Sequence, residues 1–305
     1  MALKLATYGH VPARFRRTLS TFGELVDLSS LAARSDNGYY DALILGDCDE
    51  GAILGSDRYR FSQLCLYGTQ YGGDLLRSVA AVSERILDPY VKHRASIADY
   101  IASLAVSLLS KVVQEDPYVR SGMWAINDFS PPLRRGLPFV RIGIAGAPEV
   151  SETVSTRCTA FGMEVAVFAA DHRSHKLPVF SSLEELAMWA DLLVIASKFR
   201  GGPAILLSRH LVQHLGRDGA LILLSGTTQR DVEVVQEMLE DGSIAGAALC
   251  VERSNLFLDH PIFSMHNLIL SPRSAIHSQQ SLGAIEGDIC ARLAPEPREQ
   301  GPKTP

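Results

Sequence analysis

His210 and His214 stand four residues apart, a spacing that puts two imidazoles on one face of a helix, as in some metal sites. No third ligand lies near them in sequence, so the pair reads as exposed polar residues and no metal is expected. Ser225, Thr227 and Thr228 gather three hydroxyls in one short stretch, able to donate to a bound anion or to satisfy a turn. The five cysteines (Cys48, Cys65, Cys158, Cys250 and Cys290) contain no C-x-x-C pair and are odd in number, which points to a reduced, cytoplasmic protein.

Around these residues lies a chain of 305 residues, 47% apolar and 21% charged, enough for two domains with buried cores. A net charge of −5 and the lack of any Lys/Arg-rich run argue against nucleic acid. The longest apolar-leaning stretch, Ile97 to Leu109, is too short for a membrane span, and Met1–His10 lacks the pattern of a secretory signal. Short apolar runs alternate with helical patterns, which predicts parallel sheets covered by helices. Strands are expected at Leu3–Tyr8, Glu24–Leu28, Ala42–Gly46 and Leu64–Tyr67, with an amphipathic stretch at Pro12–Phe22. Ile97, Ile101, Leu104, Leu108 and Val112 form one helical stripe, with Ser96 as its expected cap. Prolines 117, 131, 132 and 138 mark an irregular stretch, Glu115–Leu137, as the domain boundary. A second series follows: strands at Phe139–Ala145, Met163–Phe168, Leu192–Ala196, Ala220–Leu224, Ala245–Val251 and Leu268–Leu270. Helices are expected at Ser182–Ala190 and at Asp231–Glu240, which Gly242 stops. A last helix, about Ser278 to Leu293, precedes a tail at 294–305 that is expected to be disordered.

Several motifs in order carry a resemblance. They are Arg120-Ser-Gly-Met-Trp124, Ile142-Gly-Ile-Ala-Gly146, Ser182-Leu-Glu-Glu-Leu186 with Ala190-Asp-Leu-Leu193, Gly242-Ser-Ile-Ala-Gly-Ala-Ala-Leu249, Asp259-His-Pro261 and Asn267-Leu-Ile-Leu-Ser-Pro272. From Val119 to Ala275 the chain resembles the D-2-hydroxyacid dehydrogenase family, the phosphoglycerate and D-lactate dehydrogenase group. The first third matches only faintly, with Gly72-Gly73-Asp74 in the place of a substrate-contacting loop. The resemblance implies an α/β protein of two doubly wound, Rossmann-like parallel-sheet domains with an interdomain cleft. The substrate-type domain would be 1–115 completed by 277–293, and the nucleotide-binding domain 116–276. It also implies a homodimer joined through the nucleotide domain, with Val119–Pro138 as the joining arm and Trp124 packed at a seam.

At the family's site positions the residues depart from its pattern. The G-x-G-x-x-G turn reads Gly146-Ala147-Pro148-Glu149-Val150-Ser151. Pro148 deletes an N–H where such groups should face phosphate, and Glu149 adds a negative charge beside a dianion. The ribose-binding acid falls on Ala169, with Asp171 two residues late and His172 and Arg173 able to meet a 2′-phosphate, which favours NADP over NAD. Two readings stand for this turn, a cofactor site and a merely structural connection. Among the catalytic positions, the carboxylate-holding arginine falls in Ser225–Thr228, with Arg230 a few residues on. The orienting glutamate becomes Arg253, with Glu252 beside it, and the acid histidine becomes Arg273, with His277 four residues later. Cys250, at a strand end that faces the cleft in the family, is either a nucleophile or a small buried thiol.

Arginine stays protonated near neutral pH and cannot serve as the general acid. Two guanidinium groups close together call for an anion between them, so Arg253, Arg273 and Arg230 are read as clamps for a small anionic molecule, a carboxylate or a phosphate. The alternative leaves them solvated or paired with Glu252 and Asp259. Three functions follow. They are a divergent enzyme of this fold that acts on a small anion, with NAD(P)H and a non-standard catalytic set or with no redox step at all, a catalytically silent dimeric scaffold or binding protein, and, least favoured, an ordinary 2-keto acid reductase.

Overall fold

A computed structural model describes residues 2–29, 38–48, 58–68, 73–88, 92–126, 134–169, 177–196, 205, 207–224, 228–251, 259–272 and 274–294. The first elements are β1 (Leu3–Tyr8), α1 (Ala13–Leu19), β2 (Gly23–Asp27), β3 (Gly38–Tyr40), β4 (Ala42–Leu45), β5 (Tyr59–Leu66), α2 (Gly73–Ala81) and β6 (Ser83–Leu87). Next come α3 (Arg94–Ser110), α4 (Val112–Arg120), α5 (Met123–Ile126), β7 (Arg141–Gly146), α6 (Pro148–Thr159), β8 (Glu164–Phe168) and β9 (Val179–Phe180). The remainder is α7 (Leu183–Trp189), β10 (Leu192–Ala196), α8 (Arg209–Gln213), β11 (Ala220–Leu223), α9 (Gln229–Glu240), β12 (Gly246–Cys250), β13 (Leu268–Ser271) and α10 (Gln279–Leu293). No single helix among the described residues is long and apolar enough to cross a membrane.

The chain divides into two compact units, Met1–His93 with Ser278–Pro305, and Arg94–His277. In the first unit the strands run β2-β1-β4-β5, with β3 and β6 also bonded to β5, and every strand pairing is parallel. Side chains of successive strand residues point to opposite faces, and both faces are apolar. Leu5, Ile44 and Cys65 meet Phe15 and Leu19 of α1 and Ile285 and Ile289 of α10. Ala6, Leu43, Leu45 and Leu64 meet Tyr40, Tyr59, Leu75 and Val79 instead. A sheet buried on both faces is what parallel strands with near-continuous apolar runs require.

The second unit is a parallel seven-stranded sheet in the order β13-β12-β11-β10-β7-β8-β9. Leu193, Ile195, Leu221, Leu223 and Leu249 pack on one face against α7, α8 and α9 through residues such as Leu186, Val212 and Val235. Helices α3 and α6 are joined by an ion pair, Arg157 Nε to Asp99 at 2.6 Å. Each large apolar side chain withdrawn fully from water contributes about 1.5–3 kcal/mol, so α3, with Ile97, Ile101, Leu104 and Leu108 all buried, is anchored chiefly by that stripe.

The two parallel-sheet units match the expected fold class, but the boundary differs. Units divide at 93/94, not at 115/116, because α3 is tied to the second unit. Ser96 Oγ donates to the Ala275 carbonyl at 2.6 Å, and Leu108 Cδ1 lies 3.1 Å from where a Cβ on Gly246 would stand. Ser96 therefore lies inside α3 and does not cap it. Val112 leaves the stripe and is exposed, because Lys111 takes a left-handed φ of 59° and the chain turns 56° between α3 and α4. Pro117 sits within α4, a short helix with no buried residue, so the stretch after Glu115 is less irregular than its prolines imply. Gly73 and Asp74 open α2, Gly72 lies outside the described residues, and so does the tail beyond residue 294.

Candidate functional site

In an open parallel sheet, ligands settle at the carboxyl ends of the strands where the strand order reverses. Here β7 has β10 on one side and β8 on the other, so the reversal falls between β7 and β10. Gly146 ends β7 and pairs with Ala196 at the end of β10; a Cβ on Gly146 would stand 3.3 Å from Ala196 Cβ and 3.4 Å from its carbonyl oxygen. The missing side chain lets the ends of β7 and β10 approach each other closely.

The chain leaves Gly146 through Ala147, in extended conformation and buried, and enters α6 at Pro148. Proline suits this first helical position, since its fixed φ is helical and the N–H it lacks has no partner within the helix. The Ala147 carbonyl accepts from the N–H groups of Val150 and Ser151, both at 3.0 Å. Ser151 also donates its hydroxyl back to that carbonyl at 3.1 Å and is buried, so a serine fits where the fingerprint has its last glycine. Among Pro148–Ser151, Glu149 alone keeps an N–H with no main-chain acceptor among the described residues. The turn thus retains the first glycine and the positive helix end of a pyrophosphate site, with fewer donors and a carboxylate at its rim. Those residues fit a dinucleotide, through main-chain groups from Gly146 to Val150.

The other expected residues divide between described and undescribed parts of the chain. Asp171, His172, Arg173, Ser225, Thr227, Glu252, Arg253 and Arg273 lie outside the described residues. Thr228 caps α9 in a reciprocal box. Its Oγ1 accepts from the Asp231 N–H at 3.2 Å, and Asp231 Oδ2 accepts from the Thr228 N–H and hydroxyl, both at 2.7 Å. That hydroxyl is committed to the turn. Arg230 is exposed at the second position of α9, the helix that follows β11 and so starts from the same carboxyl edge of the sheet as Gly146. His277 is exposed and immediately precedes Ser278, the cap of α10. Cys250 is buried at the end of β12, as a packing thiol would be.

His210 and His214 do meet, with ring centroids 4.8 Å apart, but no group of three metal-ligating side chains occurs among the described residues. Trp124 is exposed on α5. One feature had no sequence signal. The Tyr100 hydroxyl of α3 is 2.5 Å from Ser271 Oγ at the carboxyl end of β13, two residues before Arg273. The partners are 171 positions apart in the chain, and only the fold joins them.

Comparisons with known proteins agree with this architecture. The family model for the D-isomer specific 2-hydroxyacid dehydrogenase NAD-binding domain matches residues 102–275. The chain is 32% identical over 182 residues to 2-ketogluconate reductase of Gluconobacter oxydans, covering 59% of this chain and 57% of that protein. It is 29% identical over 199 residues to a glyoxylate/hydroxypyruvate reductase of Arabidopsis thaliana, covering 65% and 61%. It therefore spans less than two thirds of the length of these curated relatives. Among solved structures, a 2-hydroxyacid dehydrogenase from Ketogulonicigenium vulgare aligns with a TM-score of 0.75 at 19% identity, over 96% of this chain and 94% of that one. An NADPH-dependent glyoxylate/hydroxypyruvate reductase from Sinorhizobium meliloti aligns at 0.72 and 19%, over 93% and 90%. With the family model covering more than half of its length, the chain belongs to the D-isomer specific 2-hydroxyacid dehydrogenase family.

Proposed function

We propose that this chain is a divergent oxidoreductase of its family, acting on a small anionic carbonyl compound with a nicotinamide cofactor and a non-standard catalytic set. The observation that carries this reading is the β7–α6 turn at the strand-order reversal, where Gly146 has no side chain and the N-terminus of α6 begins two residues later. Main-chain groups of Gly146–Val150 would hold the pyrophosphate, and His172 and Arg173 would meet a 2′-phosphate, which favours NADP. Bound there, the cofactor supplies a hydride for the substrate carbonyl carbon. Arg230, with Arg253 and Arg273, holds the substrate anion, and a guanidinium steadies the alkoxide oxygen as it forms. The proton that this oxygen takes up cannot come from arginine. His277 and Glu252 are the titratable side chains next in sequence to the vacated positions, and an imidazole is suited to proton donation near neutral pH.

Pro148 and the replaced histidine also support a second reading, a catalytically silent homologue that serves as a scaffold or binding protein. Under either reading the protein works as a cytoplasmic homodimer. Helices α4 and α5 present Val112, Val113, Val119, Met123, Trp124 and Ile126, each between 42% and 76% exposed, more apolar surface than a lone helix pair ordinarily leaves in water. Titrating the purified protein with NADPH and NADH, followed by nicotinamide fluorescence, tests the proposal. Saturable enhancement with NADPH supports the oxidoreductase, and none with either leaves the scaffold.

A further inference from the structure

The second unit has a cavity of 570 Å³ at the opposite edge of its sheet from Gly146. Its wall is built where strands begin: Val140 precedes β7, Asp191 precedes β10, Ala220 opens β11, Gly246 opens β12 and Asn267 precedes β13. Leu108 and Leu109 of α3 supply an apolar side, and Lys111, Gln114 and Arg134 supply a polar one. A volume of this size suits a small organic molecule. Neither the cofactor site nor the proposed anion clamp uses it.

The charges around the cavity are unequally matched. Asp191 is saturated: it accepts from the Arg141 N–H at 2.9 Å and from its Nε at 3.3 Å, and it pairs with Arg135. Arg134 donates to the Ser110 carbonyl and lies 3.7 Å from Glu115. Lys111 has no ion pair or hydrogen bond from its ammonium among the described residues, although it is half-buried. Asp218 and His266, both exposed, complete the titratable groups in the lining. One turn beyond Lys111, the Oε1 of Gln114 is buried without a hydrogen-bond partner. A buried acceptor left unmatched is costly, and it would be satisfied by a donor in the cavity once the side chain swings its whole amide toward that space.

We infer that this cavity is a binding site for a small organic acid that carries a hydrogen-bond donor beside its carboxylate and an apolar body. Lys111 and Arg134 take the carboxylate, Gln114 and Asp218 take the donor, and Leu108, Leu109 and Val140 cover the apolar part. A zwitterionic amino acid with an aliphatic side chain has all three features. The site lies within one unit and at the amino edge of its sheet, so it stands independently of the cofactor reading.

Isothermal titration of the whole protein with leucine tests the assignment, with 3-methylbutylamine, which lacks the carboxylate, and 4-methylpentanoate, which lacks the donor, as comparisons. Leucine is expected to bind at millimolar concentration or better, the amine not at all, and 4-methylpentanoate about tenfold more weakly than leucine. Lys111→Met should weaken leucine about tenfold or more, Lys111→Arg should restore it, and Gln114→Leu should weaken it while leaving 4-methylpentanoate unchanged. Far-UV circular dichroism confirms that each variant folds, and NADPH titration of the same samples reads the other edge of the sheet separately. No binding of leucine, or equal binding by the wild type and a folded Lys111→Met protein, overturns the assignment whatever the NADPH result.

Discussion

Replacing Pro148 by glycine perturbs the one position where the cofactor turn departs most from a phosphate cradle. In the first turn of α6, Val150 and Ser151 already spend their N–H groups on the Ala147 carbonyl at 3.0 Å, and Pro148 has none. Glu149 is left as a single donor. Pro148→Gly adds a second N–H at the helix end. A hydrogen bond to a charged partner contributes about 1.5–3 kcal/mol, so NADPH should bind about tenfold to 150-fold more tightly. The substitution loosens the unfolded chain and costs about 1 kcal/mol of stability, since proline is well placed at the first helical residue. The unfolding midpoint should therefore fall by a few degrees while affinity rises, a pairing that global damage would not produce. Nicotinamide fluorescence gives the dissociation constant, and circular dichroism melting gives the midpoint. Unchanged or weaker NADPH binding by a folded Pro148→Gly protein would refute the placement of the pyrophosphate at this turn.

Thr228→Ala removes the α9 cap and should destabilise by about 1 kcal/mol in urea unfolding, with Thr228→Ser recovering most of it. Gly143→Ala would put a Cβ 2.8 Å from Leu186 Cγ and 3.1 Å from Ala190 Cβ, so an overpacking cost of about 1–3 kcal/mol is expected in the same assay. Burial pushes the carboxyls of Asp27 and Asp191 upward, but hydrogen bonds and charge from Arg16, and from Arg141 and Arg135, outweigh it and hold both below the usual carboxylate range. A depressed folded value means that the unfolded chain binds the proton more readily. The stability from these carboxylates is thus complete above about pH 4 and is lost as pH falls through the lower folded values, and Asp191→Asn should flatten that acid limb in pH-dependent urea titrations.

Much of this architecture is legible in the chain because strand–helix alternation and burial on both sheet faces follow from local patterns. The runs Leu192–Ala196 and Ala220–Leu223 are wholly buried and read as strands at sight. Ser182, Ser208 and Ser278 all cap helices, and the first and last of these stood at the start of an expected helix. Short partners on the first sheet were missed. Gly38–Tyr40 and Ser83–Leu87 are strands only because β5 offers both its edges, a tertiary circumstance. The domain boundary was misplaced for a similar reason. Prolines mark a local break, whereas the ties of Ser96 to Ala275 and of Leu108 to Gly246 decide which unit α3 joins. The expectation that Arg273 stands where the family has a histidine comes from residue identity alone, and that position lies outside the described residues. The Tyr100–Ser271 pair and the cavity beside Lys111 come from residues distant in the chain, which no spacing rule joins.

The most direct test of the cofactor assignment is amide hydrogen exchange of the wild-type protein with and without NADPH, read on peptides that span Gly143–Cys158. Slower exchange is expected there, at the end of β7 and the first turn of α6. Exchange that is unchanged across this segment at saturating NADPH would contradict the assignment.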